Sequence, residues 1–164
     1  MNIRRAEDRD LEAVLILLSQ VLEIHAEIRP DLFVSGTTKY GPEDLASLLK
    51  REDRLVLVCA DESDEVLGYA FCFLPEKESS SSHLRERKTL YLDDLCVDES
   101  RRGEHIGLRL LEEVKREARR LGAFAVTLNV WEGNDSAKRF YEKAGFLPVK
   151  TMMELPLVAR EEER

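Results

Sequence analysis

The chain has 164 residues, of which 43% are hydrophobic and 35% charged; that length and balance fit one folded domain and exclude disorder as a whole. Its 33 acidic residues against 25 basic ones leave a formal charge of −8, which argues against broad contact with a nucleic-acid backbone and would draw a cationic partner inward. No apolar run approaches the roughly 18 residues needed to cross a bilayer, and the charged start Asn2–Asp8 lacks the apolar segment of a signal peptide, so the expectation is a cytosolic protein without a membrane partner.

Asn2–Ala6 reads as a short strand. Asp8 then stands as an N-cap for the series Leu11, Val14, Leu15, Leu18 and Leu22, whose spacing predicts an amphipathic helix. This helix must break near Arg29-Pro30-Asp31, because the residue before proline is pushed out of the helical region. Tyr40-Gly41-Pro42-Glu43 starts a second helix through about Lys50, with proline in the first turn, where its missing N–H costs nothing. Leu55–Ala60 and Val66–Leu74 are strand-like runs joined by the polar link 61–65, a hairpin pattern. Residues 75–88, with a serine run from Ser79 to Ser82, read as a surface loop.

Thr89–Val97 is the next strand, with Asp93 and Asp94 inside it. A long helix follows on the stripe Ile106, Leu110, Leu111, Val114, Ala118 and Leu121, stopped by Gly122. Ala125–Val130 is a further strand, Asn134–Ala144 a short helix closed by Gly145, and Leu147–Pro156 one or two final strands before a charged tail. The expected fold is α/β: residues 1–156 form a single domain around a mixed, mostly antiparallel sheet of six or seven strands with about four helices, and 157–164 form the tail. Cys59, Cys72 and Cys96 each sit in an apolar run and read as buried thiols. His25, His83 and His105 are scattered, so no metal site is expected.

Two segments carry chemistry. In Arg101-Arg102-Gly103-Glu104-His105-Ile106-Gly107, a turn leads from a strand into a long helix, whose N-terminus offers unpaired N–H donors and a positive dipole end suited to phosphate. Gly103 and Gly107 permit close backbone approach, and Arg101, Arg102 and Arg109 can add charge-assisted contacts; a plain basic helix cap fits the same residues. In the second segment Asn134 can cap a helix on which Ala137 and Tyr141 share a face.

Through the turn Arg102–Gly107, the series Asn134, Ala137, Tyr141, Gly145-Phe146, and the order of elements, the sequence resembles the GCN5-related N-acetyltransferase (GNAT) superfamily. The resemblance implies acetyl-CoA as co-substrate. Its pyrophosphate would be held by Arg102, Gly103, Glu104, His105, Ile106 and Gly107. Its pantetheine arm would meet the backbone of Leu95, Cys96 and Val97, with Asn134 and Ala137 beside it, and Tyr141 would lie next to its sulfur. A homodimer is likewise implied by the resemblance alone. The family's turn usually has glycine where this chain has His105, a substitution that is harmless if the backbone there is helical and costly if it is left-handed.

The strand Tyr91–Val97 is similar to that of the diamine and polyamine acetyltransferases, in which an acid matching Asp93 lies close to the acceptor amine. Asp93 and Asp94 also fit a strand irregularity with both carboxylates facing water. An alkyl amine with a pKa near about 10.4 is neutral in only about one molecule per thousand at pH 7, so a proton acceptor is needed. Asp93, directly or through water, is the candidate base, and Tyr141 the donor to the departing thiolate. A covalent route through Cys96 is disfavoured, because strand alternation puts Asp93 on the face of Leu95 and Val97 and sends Cys96 the other way.

The resemblance places the acceptor groove beside the first two helices, making His25, Glu27 and Asp31 candidates for substrate binding together with Asp93 and Asp94; His25 also fits the core edge of its helix. The expected function is acetyl transfer from acetyl-CoA to a primary amine of a small cationic molecule. A protein N-terminal or lysine acetyltransferase, and a non-catalytic acyl-CoA sensor, are the alternatives.

Overall fold

The computed structural model describes residues 1–75 and 87–157, so the expected loop at 75–88 and the charged tail lie almost wholly outside the described residues. The chain divides into two units, Met1–Asn134 and Asp135–Arg164.

The first unit is built on five strands, β1 (Asn2–Arg5), β2 (Arg54–Ala60), β3 (Val66–Phe73), β4 (Thr89–Val97) and β5 (Ala125–Thr127), which lie side by side in chain order. The pairs β1/β2, β2/β3 and β3/β4 are antiparallel and β4/β5 is parallel, as a helical crossover between the last two requires. The helices are α1 (Leu11–Ile28), α2 (Pro42–Leu49) and α3 (Ile106–Arg120). Helix α1 ends where Pro30 dictates, and Gly41 caps α2 with Pro42 in its first turn.

The entry to α1 differs from expectation. A 3-10 turn, Asp8–Asp10, precedes the helix, and the capping work falls to Asp10 rather than Asp8. The buried Asp10 carboxylate accepts the Glu7 N–H at 2.8 Å and a fork of two bonds from Arg4 at 2.6 and 2.9 Å. Burial would push the carboxyl up, but these partners hold it below its ordinary range.

Alternation along the strands gives each sheet face its own helices. Val56, Val58, Tyr69, Phe71 and Cys96 form one core with Val14, Leu17 and Leu18 of α1 and Leu45 of α2. On the other face α3 buries Ile106, Leu110, Leu111, Val114 and Ala118. A Cβ on Gly68 would meet Ile106 and Leu110 at 3.3 Å and the Cys96 carbonyl at 2.7 Å, so glycine lets helix and neighbouring strand close on β3.

The second unit holds α4 (Asp135–Lys143), ended by Gly145 at φ 93° as its sequence predicts. The described residues contain five strands, not six or seven: Leu147–Pro156 carries no ladder. Pro148 and Pro156 remove two backbone donors from that segment. Leu147, Val149, Met153 and Leu155 of that segment are 81–91% exposed. No helix among the described residues is long and apolar enough to cross a membrane.

Candidate active site

The two acidic residues of β4 sit at a β-bulge. Asp94 pairs with Phe71 and Leu92 with Cys72, leaving Asp93 as the extra residue. A bulge shifts the phase of alternation by one. Tyr91, paired with Phe73, and beyond the bulge Asp94 and Cys96 therefore face α1 and α2, whereas Leu92 faces the other way. Asp93 reaches the same side as Asp94, because its carboxylate takes the Lys39 ammonium at 2.5 Å, and Tyr40, the next residue, packs on Phe71 at 5.9 Å between ring centroids.

This corrects the expected pattern in which Asp93 shares a face with Leu95 and Val97. Cys96 is nonetheless unsuited to nucleophilic work, for a different reason. Its thiol is buried beneath α1, 3.5 Å from the Leu17 carbonyl, and burial with the charge of Asp94 pushes it up to about 12. Cys59 and Cys72 are buried thiols as well.

The two carboxylates have different surroundings. Asp94 accepts the hydroxyl of Tyr69, a fully buried side chain, at 2.8 Å. Burial pushes the Asp94 carboxyl up to about 6, against the Tyr69 hydrogen bond and the Lys39 charge that pull it down, while the negative charge of Asp93 adds to the rise. Tyr69 itself is raised, by burial first and by Asp94 next. Burial would depress the Lys39 ammonium, but its bond to Asp93 and the charges of Asp93 and Asp94 hold it above its ordinary value.

Around this pair lie groups from the end of α1 and the loop after β5. His25 packs on Phe33 at 5.2 Å, Phe33 meets Trp131 edge-on at 5.4 Å, and the Arg29 guanidinium lies 5.7 Å from the Trp131 ring centre. Burial, then the nearby Lys39 charge, lowers His25, so its imidazole is neutral at pH 7. Asp31 accepts two bonds from Arg29 at 2.8 and 2.9 Å. Tyr91 accepts from the Asn129 amide at 3.0 Å. The structure thus gathers His25, Asp93 and Asp94 around Lys39 and places Asp31 at the adjoining Arg29. Glu27 is exposed on the last turn of α1. Lys39, Tyr69, Tyr91 and Trp131 were not among the sequence candidates. Lys39 lies in a polar connector 54 residues from Asp93, where no local spacing marks it.

The turn into α3 leaves β4 through Asp98, which caps a 3-10 turn (Glu99–Arg101) by accepting from the Ser100 N–H at 2.9 Å. Gln20 of α1 bonds both Asp98 and the Glu99 N–H, at 3.1 and 3.2 Å, pinning the turn. Gly103 has φ 88° with nothing within 4 Å of a Cβ, and His105 takes the left-handed backbone at φ 61°. Of the two conformations considered for position 105 it is the costly one, by about 1 kcal/mol relative to an unstrained residue. Arg101 is engaged with Glu104 at 2.7 and 3.1 Å, while Arg102 and Arg109 are exposed.

The first turn of α3, Ile106–Leu108, has N–H groups that no intrahelical carbonyl can take, as at any helix start. Parallel pairing with β5 covers only Thr89–Tyr91 of β4, so among the described residues the backbone of Leu95, Cys96 and Val97 is outside that ladder. Tyr141 lies on α4, half-buried, with its ring against Phe140 at 5.1 Å and Phe146 at 5.5 Å; Ala137 precedes it by one turn, and Asn134 ends the first unit. The described residues contain no group of three or more metal-ligating side chains.

Residues 19–146 match the acetyltransferase (GNAT) family. The chain is similar to YwnH of Bacillus subtilis (strain 168), named as a candidate phosphinothricin acetyltransferase, at 27% identity over 148 residues that cover 89% of this chain and 83% of that protein. A crystal structure of a mutant BH1408 protein from Bacillus halodurans is 36% identical, covers 96% of this chain and 100% of its own, and superposes with a TM-score of 0.91. The structure of an aminoglycoside acetyltransferase, meta-AAC0020, from an uncultured soil metagenomic sample, shares the fold at a TM-score of 0.70 with 20% identity, over 97% of this chain and 96% of that one. With the bulged acidic strand leading through a glycine turn into an open helix N-terminus, and with the family match spanning most of the sequence, the chain belongs to the GNAT family and is an N-acetyltransferase.

Proposed function

We propose that residues 1–156 transfer an acetyl group from acetyl-CoA directly to the primary amine of a small cationic molecule, with Asp94 as the proton acceptor. The observation that carries the role of Asp94 is the division of labour at the bulge: Lys39 occupies Asp93, and Asp94 is left half-buried with a carboxyl at about 6. Moving a proton from an ammonium near about 10.4 to an ordinary carboxylate at 3.8 is uphill by about 9 kcal/mol; to Asp94 it is about 6 kcal/mol. The raised carboxyl is still largely ionised at pH 7, so it both attracts the ammonium and accepts its proton.

When bound, acetyl-CoA supplies the thioester that the neutral amine attacks. The residues suited to hold it are the open turn Arg102–Gly107, whose N–H groups and dipole favour phosphate, and the backbone of Leu95, Cys96 and Val97. N–H groups of the same stretch can steady charge developing on the carbonyl oxygen. Asn134 and Ala137 are assigned to the pantetheine arm and Tyr141 to the sulfur. A phenol near about 10 giving its proton outright to a thiolate near about 8.5 is uphill by roughly 2 kcal/mol, so hydrogen bonding is the larger part of what Tyr141 contributes. The name of the Bacillus subtilis relative supports a small-molecule acceptor over a protein.

The test is thiol release from acetyl-CoA at pH 8 with small primary amines, polyamines, phosphinothricin and short peptides with free N-termini. Turnover with the small amines is expected, and Tyr141→Phe should lower it while leaving acetyl-CoA affinity unchanged. Turnover confined to peptides would replace this reading with a protein acetyltransferase. Tight acetyl-CoA binding without thiol release from any acceptor would replace it with a sensor.

A further inference from the structure

We propose that Lys39 sets the charge of the acceptor: by holding Asp93 it leaves one carboxylate, Asp94, to receive substrate, and so matches the site to an amine with a single ammonium on an apolar body rather than to a polyamine. This rests on the acetyl-transfer reading above and adds the substrate class.

The Lys39 ammonium meets Asp93 at 2.5 Å and lies 5.4 Å from the centre of the Tyr40 ring, a second contact that favours the cation there. Arg29 and Asp31 form their own two-bond pair at the end of α1. His25, on the inner side of that helix end, is held neutral by burial and by Lys39. Each cation named is matched by an anion, and Asp94 carries the one charge left over. Next to these groups are the faces and edges of Phe33 and Trp131, which suit an apolar or aromatic body. A second ammonium on the acceptor would find Asp93 already taken and the Lys39 charge close by, a like-charge contact that lowers affinity.

Because Lys39 is 43% exposed and its ion pair lies near the surface, removing it should leave the fold intact. The experiment compares hexylamine with hexane-1,6-diamine, equal in length and differing by one ammonium, as acceptors for the native enzyme, Lys39→Met and Lys39→Arg. The native enzyme should favour hexylamine in kcat/KM by about tenfold or more. In Lys39→Met, Asp93 is released, so the ratio of the diamine KM to the hexylamine KM should fall by about tenfold from its native value; Lys39→Arg should retain the native preference. A diamine-to-hexylamine KM ratio that does not change in Lys39→Met overturns the proposal. Calorimetric titration of both amines without acetyl donor separates it from the reading it rests on. A gain in diamine affinity in Lys39→Met without thiol release from any amine supports the charge role and removes the acetyl-transfer reading. Turnover with unchanged diamine affinity removes the charge role alone.

Discussion

Replacing Asp94 by asparagine should make the protein more stable and nearly inactive. The amide keeps an oxygen to accept the Tyr69 hydroxyl and resembles the protonated acid in shape and charge. In the native protein the carboxyl rises from 3.8 to about 6 on folding, so the folded state prefers it protonated. Below the unfolded value the group is protonated in both states and asparagine gains nothing. As pH climbs through about 4 to 6 the unfolded chain releases the proton first, native stability falls, and the variant is spared that loss. The shift corresponds to an advantage of about 3 kcal/mol at pH 7.5, about half as much at pH 5, and none near pH 3. Urea unfolding of both proteins at several pH values measures the gap directly, since groups not coupled to Asp94 cancel in the difference. Thiol release should fall by about a hundredfold or more, the usual loss of a general base, and native kcat/KM should rise with pH about a midpoint near 6. Equal stability at every pH would refute the burial argument, and undiminished turnover would refute the assignment of the base.

At position 105 the left-handed backbone should make His105→Gly slightly stabilising. Relief of about 1 kcal/mol is set against about 0.5 to 1 kcal/mol of added freedom in the unfolded chain, for a gain of up to about 0.5 kcal/mol in urea unfolding. His105→Val should lose more than about 1 kcal/mol, and a variant as stable as native would show that the residue is not left-handed. Gly107→Glu puts a carboxylate in the first turn of α3, where the helix tolerates it but a phosphate does not, so acetyl-CoA affinity by calorimetry should fall by about tenfold or more. Normal binding by the folded variant would show that the anion turn is misassigned.

Much of the framework is legible because local chemistry decides it. Pro30 ends α1, Gly41-Pro42 opens α2, Gly122 and Gly145 take the positive φ that stops a helix, and Thr89–Val97 alternates as a strand does. Of the reading of the two acids as a strand irregularity with both carboxylates facing water, the irregularity is there, but Asp93 is paired with Lys39 and Asp94 with Tyr69. What cannot be read is set by distant partners or by the path of the backbone. The match of Lys39 to Asp93 spans 54 residues and that of Tyr69 to Asp94 spans 25, and neither leaves a mark in nearby spacing. Whether His105 is helical or left-handed depends on how the chain descends from Asp98 through Gly103, which sequence alone leaves open. The alternation of Leu147, Val149, Met153 and Leu155 has the period of a strand, but period says nothing about whether an edge is there to pair with.

The bulge at Asp93 links fold to chemistry. In a regular β4 adjacent side chains point to opposite faces, so one of two consecutive aspartates would be driven toward α3, among residues such as Leu92 and Cys72. A carboxylate there would be buried without a cation and would neutralise or destabilise the sheet by several kcal/mol. One extra residue turns both acids toward α1 and α2, where the negative charge of Asp93 adds to the rise of the Asp94 carboxyl. Lys39 meets the two unequally. It bonds Asp93 directly and acts on Asp94 only through its charge, so one acid becomes half of an ion pair and the other remains available to exchange a proton near neutrality. Neither the acidic pair nor the lysine alone would give that asymmetry; it arises because the strand irregularity and the connector before α2 meet at the same point.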